Sequence, residues 1–306
     1  MWHGVMLARL QQSIALTLLL TVIGAFWGGL LLGHPSFGWI ICGALTLGYL
    51  GVLGIEFTWL FRSYTAEDRM RPSCAQTVRS WLREALTGPQ VFLWRQPFRS
   101  RRHRDHLPAN GVGRRGVLLV HGFFCNRGLW NPWLKALHAD GVPFVAVDLE
   151  PIFGPIDAYG PILAHAARQL QGATGLAPVI VAHSMGGLAA RAWMATTPDA
   201  PCHRLITIAT PHAGTQLSLN ANSRRANIRQ MRRGSEWLAH LASRESAALR
   251  GKFICFWSHC DNIVIPPRSA TLTGADNRHL AATPHVHMVY RAEVFEALRQ
   301  ALRLES

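Results

Sequence analysis

Hydrophobic and polar positions divide the chain into three stretches. From Ser13 to Leu32 the run SIALTLLLTVIGAFWGGLLL carries no charge. After the short turn Gly33-His34-Pro35-Ser36, a second run, FGWIICGALTLGYLGVLGIEFTWLF, ends at Phe61. A helix of about 20 apolar residues crosses a hydrocarbon core, so residues 1–62 are predicted to form a transmembrane hairpin. A cleaved signal peptide fits less well, because the first apolar run is too long and no small-x-small cleavage site precedes the second. Gly24, Gly28, Gly29 and Gly33 on the first run, and Gly48, Gly51 and Gly54 on the second, would let the two helices approach closely. Glu56 is the one ionisable side chain of the second run. It lies about one and a half turns from the helix end, a position that predicts snorkelling to the headgroups.

Residues 63–112 read as a basic juxtamembrane linker. Val78, Trp81, Leu82, Ala85 and Leu86 recur at helical spacing with Arg79 and Arg83 on another face, and Gly88-Pro89 is expected to stop the helix. Such an amphipathic helix would either lie on the membrane surface or cap the following domain. VFLWRQPF is a candidate edge strand, and Arg99, Arg101, Arg102 and Arg104, with His103 and His106, a solvated loop facing lipid phosphates. From Gly113 onward, short Val- and Ile-rich runs (116–120, 143–147, 178–182, 204–209 and 252–257) alternate with stretches long enough for crossover helices. This predicts an α/β domain over 113–306, with a mostly parallel sheet covered on both faces and its chemistry at the carboxyl ends of the strands.

Charge changes the picture less than its size suggests. The 306 residues carry a formal +14, with a pI near 10.8, yet the arginines follow no nucleic-acid-binding motif, and attraction to anionic lipid headgroups accounts for them. Arg9 precedes the first apolar run and Arg62, Arg69, Arg71, Arg79 and Arg83 follow the second, while the connecting turn has no Lys or Arg. The positive-inside rule then places both ends in the cytoplasm, here of a bacterial inner membrane. Six scattered cysteines without a C-x-x-C pair are expected to be reduced and structural.

The chemistry follows the strands. After the third run stands Ala182-His183-Ser184-Met185-Gly186-Gly187. Small residues two before and two after Ser184 suit a sharp strand-to-helix turn that presents a nucleophile, and the following helix points its N-terminal N–H groups at the site. After the first run, Val120-His121-Gly122-Phe123 places the Phe123 amide to pair with that of Met185 as an oxyanion hole. His121 is then expected to be structural.

These motifs give the stretch from about residue 113 to the end its likeness: it resembles the α/β-hydrolase superfamily, in its bacterial lipase and esterase branch. AHSMGG is similar to the elbow of small bacterial lipases, and Thr210-Pro211-His212-x-Gly214-Thr215 to a lipase TPHxGT stretch. The resemblance implies the order nucleophile, acid, histidine. It assigns the acid to Asp261, in the loop after KFICFW, and the base to His285, 24 positions later in TPHVHMVY. Pro284 stands where the family often has glycine. His287 is the alternative base, and Asp148 a rival acid out of family order that is expected to order its loop. A metal set of His259, Cys260, His285 and His287 lacks ligand-pair spacing, so no metal or cofactor is implied. The insertion at about 216–251, with Arg224, Arg225, Arg229, Arg232 and Arg233, is expected to cap the site as a solvated face or as a lid on anionic lipid. The expected function is hydrolysis of a lipid or other hydrophobic ester. The alternatives are an acyltransferase or thioesterase on the same triad, or a silent membrane scaffold. The sequence carries no signal of oligomeric state.

Overall fold

The computed structural model describes residues 6–65, 68–109, 111–217 and 223–303. Two long helices come first, α1 (Met6–Leu31) and α2 (Phe37–Arg62). Both are long and apolar enough to cross a membrane, with mean hydropathy 2.2 and 1.8. They pack on each other only where side-chain bulk allows. A Cβ at Gly38 would run into the Phe26 ring and one at Gly29 would lie 3.0 Å from Phe37 Cβ, whereas Gly24, Gly28, Gly48, Gly51 and Gly54 face open space. The glycine stripes expected to form the interface are therefore mostly off it.

Residues 74–99 are continuous helix, not a linker with a strand. Helix α3 (Cys74–Pro89) starts at a capping box in which the Ser73 hydroxyl accepts from the Gln76 amide and the Gln76 side chain accepts from that of Ser73. It does not stop at Gly88-Pro89. The chain passes into a π-helical turn, Gln90–Arg95, and then the short α4, Gln96–Arg99. Proline's missing N–H falls where the α ladder gives way to wider π bonding, so little is lost. VFLWRQPF is thus helical, and its expected strand is not formed. The side of α3 turned to the protein is polar (Ser80, Glu84 and Thr87 are buried), while Val78, Leu82 and Leu86 are exposed.

The remaining chain builds one six-stranded parallel sheet: β1 (Val117–Val120), β2 (Phe144–Val147), β3 (Val179–His183), β4 (Arg204–Ile208), β5 (Phe253–Trp257) and β6 (Asp276–His279), in the order β2-β1-β3-β4-β5-β6. Five of the six are the expected runs. Alternation along β1 shows how the layers form: Leu118 and Val120 join one core with α6 (Gly160–Thr174) and α7 (Met185–Thr196). Val117 and Leu119 join the other, with α5 (Asn131–Ala139) and a C-terminal helix. Strands β1 to β5 are mostly apolar on both faces because both are covered, and the edge strand β6 is polar. The insertion forms three short helices, α8 (Ala226–Gln230), α9 (Glu236–Ser243) and α10 (Ala247–Arg250), and α11 (Ala292–Arg303) closes the fold.

Candidate active site

Ser184 sits at the carboxyl end of β3, with φ 53° and ψ −126°, a conformation that a non-glycine residue holds only under surrounding constraint. The constraints are visible. The Ser184 amide donates to Ile208 O at 2.8 Å, and the Thr210 hydroxyl donates to Ser184 O at 3.0 Å. Steric need explains the neighbouring glycines. A Cβ at Gly122 would stand 2.8 Å from Ser184 Cβ, and one at Gly186 would collide with the His121 carbonyl. Among the described residues, neither the Phe123 nor the Met185 amide donates to a backbone acceptor.

The Asp261 and His285 side chains meet as the order of motifs implied. His285 Nδ1 lies 2.9 Å from Asp261 Oδ1 and 3.1 Å from Oδ2. Asp261 is fully buried, and its Oδ1 also accepts the Ile263 and Val264 amides, each at 2.9 Å, which fixes the carboxylate. Burial alone would lower the His285 pKa. The Asp261 charge and hydrogen bond outweigh it, with help from Glu84 and Glu56, and hold the imidazole above its ordinary value. His287 points elsewhere: its Nδ1 lies 3.0 Å from the Thr87 hydroxyl on α3, and burial beside Arg83 and Arg291 lowers its pKa. His121 accepts the Leu149 amide at Nε2, 3.0 Å away, leaving Nδ1–H to donate to Gly122 O at 2.9 Å. It is buried, which depresses its pKa. Asp148 accepts the Arg127 amide at 2.7 Å, which ties the end of β2 to the loop after β1, a different loop from its own.

Ser184 and His285 open into a cavity of about 330 Å³ whose walls were not foreseen. One wall comes from α2, through Tyr49, Val52, Leu53 and Glu56; another from Glu84, Gly88 and Phe92; and Phe123, Asn262 and Val286 complete the ring. Glu56 does not snorkel. It accepts from Asn262 Nδ2 at 2.7 Å inside the protein. The insertion contributes no lining residue among those described. It is clamped beside the site instead, through the buried Arg191–Glu245 pair and Asn227 Nδ2, which donates to Ile152 O at 2.8 Å. Residues 218–222, part of the expected cap, lie outside the described residues. Glu84 was missed because it reads as one more charge in an arginine-rich helix, although its place in line with Ser80 and Thr87 marks a polar buried face.

Residues 117–301 match the sequence profile described as the alpha/beta hydrolase family. The chain belongs to that family. The α/β-hydrolase fold is also found in the mature form of the Bacillus licheniformis lipase BlEst2, with 18% identity, TM-score 0.55, and coverage of 64% of this chain and 95% of that one. A monoacylglycerol lipase of Paleococcus ferrophilus is similar at 15% identity and TM-score 0.44, covering 62% of this chain and 97% of its own. No curated protein matches the sequence. Family membership and the architecture agree on a hydrolase fold with the elbow, the histidine loop and the acidic loop all at the carboxyl edge of the sheet.

Proposed function

We propose that this α/β hydrolase is a membrane-anchored carboxylic-ester hydrolase acting on lipid or other hydrophobic acyl esters. Ser184 is the nucleophile, His285 the base, and Asp261 the residue that fixes the imidazole. The observation that carries this reading is the shared cavity. Ser184 and His285 face it together, with Asp261 buried behind the imidazole, and its apolar wall is formed by Tyr49, Val52 and Leu53 of α2. His285 Nε2 takes the proton as Ser184 Oγ attacks the ester carbonyl, and the Phe123 and Met185 amides receive the oxyanion. Collapse of the tetrahedral intermediate breaks the bond to the alcohol, which leaves with the proton from His285. Water, deprotonated by the same imidazole, then splits the acyl-enzyme to a carboxylic acid.

Membrane residence is supported by side chains that water would not favour. Leu20, Trp27, Leu30 and Leu47 on α1 and α2 are exposed, and Val78, Leu82, Leu86 and Trp94 continue the apolar surface along α3 and the π turn. This favours the membrane-surface reading of α3 over the cap. The arginines flanking the two apolar helices support the reading that the catalytic domain faces the cytoplasm at a bacterial inner membrane. The test is a panel of p-nitrophenyl esters and phospholipids given to the detergent-purified full chain. Hydrolysis of hydrophobic acyl esters that is lost in Ser184→Ala is expected. No hydrolysis of any ester, or turnover that survives in Ser184→Ala, would overturn the reading.

A further inference from the structure

Two carboxylates from the N-terminal helices bond the loops around His285, Glu84 the histidine loop itself and Glu56 the neighbouring loop after β5. Glu84 of α3 is buried and accepts the Val286 amide at 2.8 Å and the His287 amide at 3.2 Å, the two residues that follow His285. Glu56 of α2 accepts from Asn262 Nδ2 at 2.7 Å, while Asn262 Oδ1 accepts the His285 amide at 3.1 Å. The backbone from His285 to His287 is thus held at three consecutive amides. Two of the three bonds go directly to α3, which precedes the family-matched region, and the third goes to Asn262, inside that region, whose side chain is in turn held by Glu56 of α2. A buried carboxylate without its donors is costly, so these bonds tie helices and loop in both directions.

We propose that Glu56 and Glu84 are positioning residues for His285, so that α2 and α3 are part of the catalytic unit and not a detachable anchor. The proposal rests on the reading of His285 as the base. Its physical content is twofold. The loop amides need acceptors on fixed elements to keep the imidazole in line with Ser184, and a small misplacement of a reacting group costs about 10²-fold in rate. The charged groups facing His285 are Asp261 from the loop after β5, Glu84 from α3 and Glu56 from α2, with the neutral His183 ring 4.7 Å away at the end of β3. When ionised, the two glutamates add negative potential that favours the imidazolium formed during the reaction. Burial, the largest influence on Glu84, pushes its own pKa up to about 7, against the two loop amides and His285.

The test uses the full-length protein in detergent, with active sites counted by stoichiometric fluorophosphonate titration and kcat/KM followed against pH. Glu84→Gln keeps size but sets an amide donor against one of the two backbone donors, because the Val286 and His287 amides bond different carboxylate oxygens. Its kcat per titrated site should fall about 10- to 100-fold with KM little changed. The acidic limb, which reports deprotonation of the base, should move to lower pH because a negative charge beside His285 is gone. Glu56→Gln retains an acceptor for Asn262 and should stay within about threefold of wild type, whereas Glu56→Leu should lose at least about tenfold. An unfolded fraction cannot move the pH limb or the kcat-against-KM split, because only titrated sites are counted. Wild-type kcat and an unmoved limb in both Glu84→Gln and Glu56→Leu would overturn the proposal, as would a loss confined to KM. If Glu84→Gln does not fold, wild-type kcat in Glu56→Leu overturns it alone. Failure of the underlying reading looks different: the wild type itself would not label at Ser184, or His285→Ala would remain active.

Discussion

Replacing Asp261 with asparagine exchanges one oxygen for an amide nitrogen, and the surrounding donors decide which one. Asp261 Oδ1 accepts two backbone amides, from Ile263 and Val264. Asparagine with its nitrogen turned to them would set donors against donors, at about 1–3 kcal/mol for each buried group left unsatisfied. The side chain therefore keeps its oxygen on the loop and presents Nδ2–H to His285 Nδ1, 3.1 Å away in the native pair. Nδ1 also lies 2.9 Å from the retained Oδ1, so the Nδ1–H tautomer is no longer enforced, and Nδ2–H favours an imidazole that accepts at Nδ1 and carries its proton on Nε2, the atom that has to accept the serine proton. Exchanging charge-assisted for neutral hydrogen bonds costs stability of about 1 kcal/mol. The wrong tautomer costs roughly 10³- to 10⁴-fold in kcat, or about 4–5.5 kcal/mol of barrier. The two effects are separable. Thermal denaturation should show a small shift, while hydrolysis of a p-nitrophenyl acyl ester, measured at a temperature where both proteins are folded, should nearly vanish. The opposition between burial and the Asp261 charge also sets a pH expectation. The acidic limb of the wild type should lie above the ordinary imidazole value, with activity rising through it as His285 deprotonates. An Asp261→Asn protein within tenfold of wild-type kcat, with that limb unmoved, would refute the assignment.

His287→Ala should retain most of the wild-type turnover, since that ring bonds Thr87 and not Asp261; a loss as deep as that of His285→Ala in the same ester assay would exchange their roles. Gly187→Ala would bring a Cβ into the fully buried Thr210, 2.8 Å from Cγ2 and against the hydroxyl that holds Ser184 O. Overpacking of this kind should cost about 1–3 kcal/mol in thermal or chemical denaturation. Gly172→Ala, within α6 and facing open space, should instead be neutral or stabilise by about 0.5–1 kcal/mol, and equal behaviour of the two variants would contradict the packing argument. The full-length protein should stay with membranes through high salt and carbonate washes; release by carbonate would show that charge, and not α1 and α2, holds it.

The sheet was legible because both of its faces are buried, which makes strands such as VLLV and VIVAH continuous apolar runs bounded by turn residues. Strand β6 escaped for the opposite reason. Asp276-Asn277-Arg278-His279 is a partly exposed edge with no apolar residue, and only its backbone pairing to β5 makes it a strand. The motif around Ser184 could be read because crowding at a sharp elbow restricts residues two before and two after it. Asp261 and His285 followed from family order, and the fold brings them within hydrogen-bond reach. What sequence reasoning lost was long-range. Glu56 lies 206 positions from Asn262, and Glu84 lies 202 from Val286. Helical periodicity identified α3 as amphipathic yet not which face turns inward, because Val78, Leu82 and Leu86 suited a membrane surface and a cap on the following domain equally, and they lie exposed. The same limit hid α2 in the cavity wall and assigned that place to the insertion.

The central claim is that one serine, Ser184, is activated above all others, and covalent capture addresses it without knowledge of the natural substrate. The full-length protein is treated with a fluorophosphonate probe, digested, and the modified peptide located by mass spectrometry. A single adduct on Ser184, absent from Ser184→Ala and strongly slowed in His285→Ala, is the predicted result. An adduct on another serine, or labelling that persists in Ser184→Ala, would contradict the account.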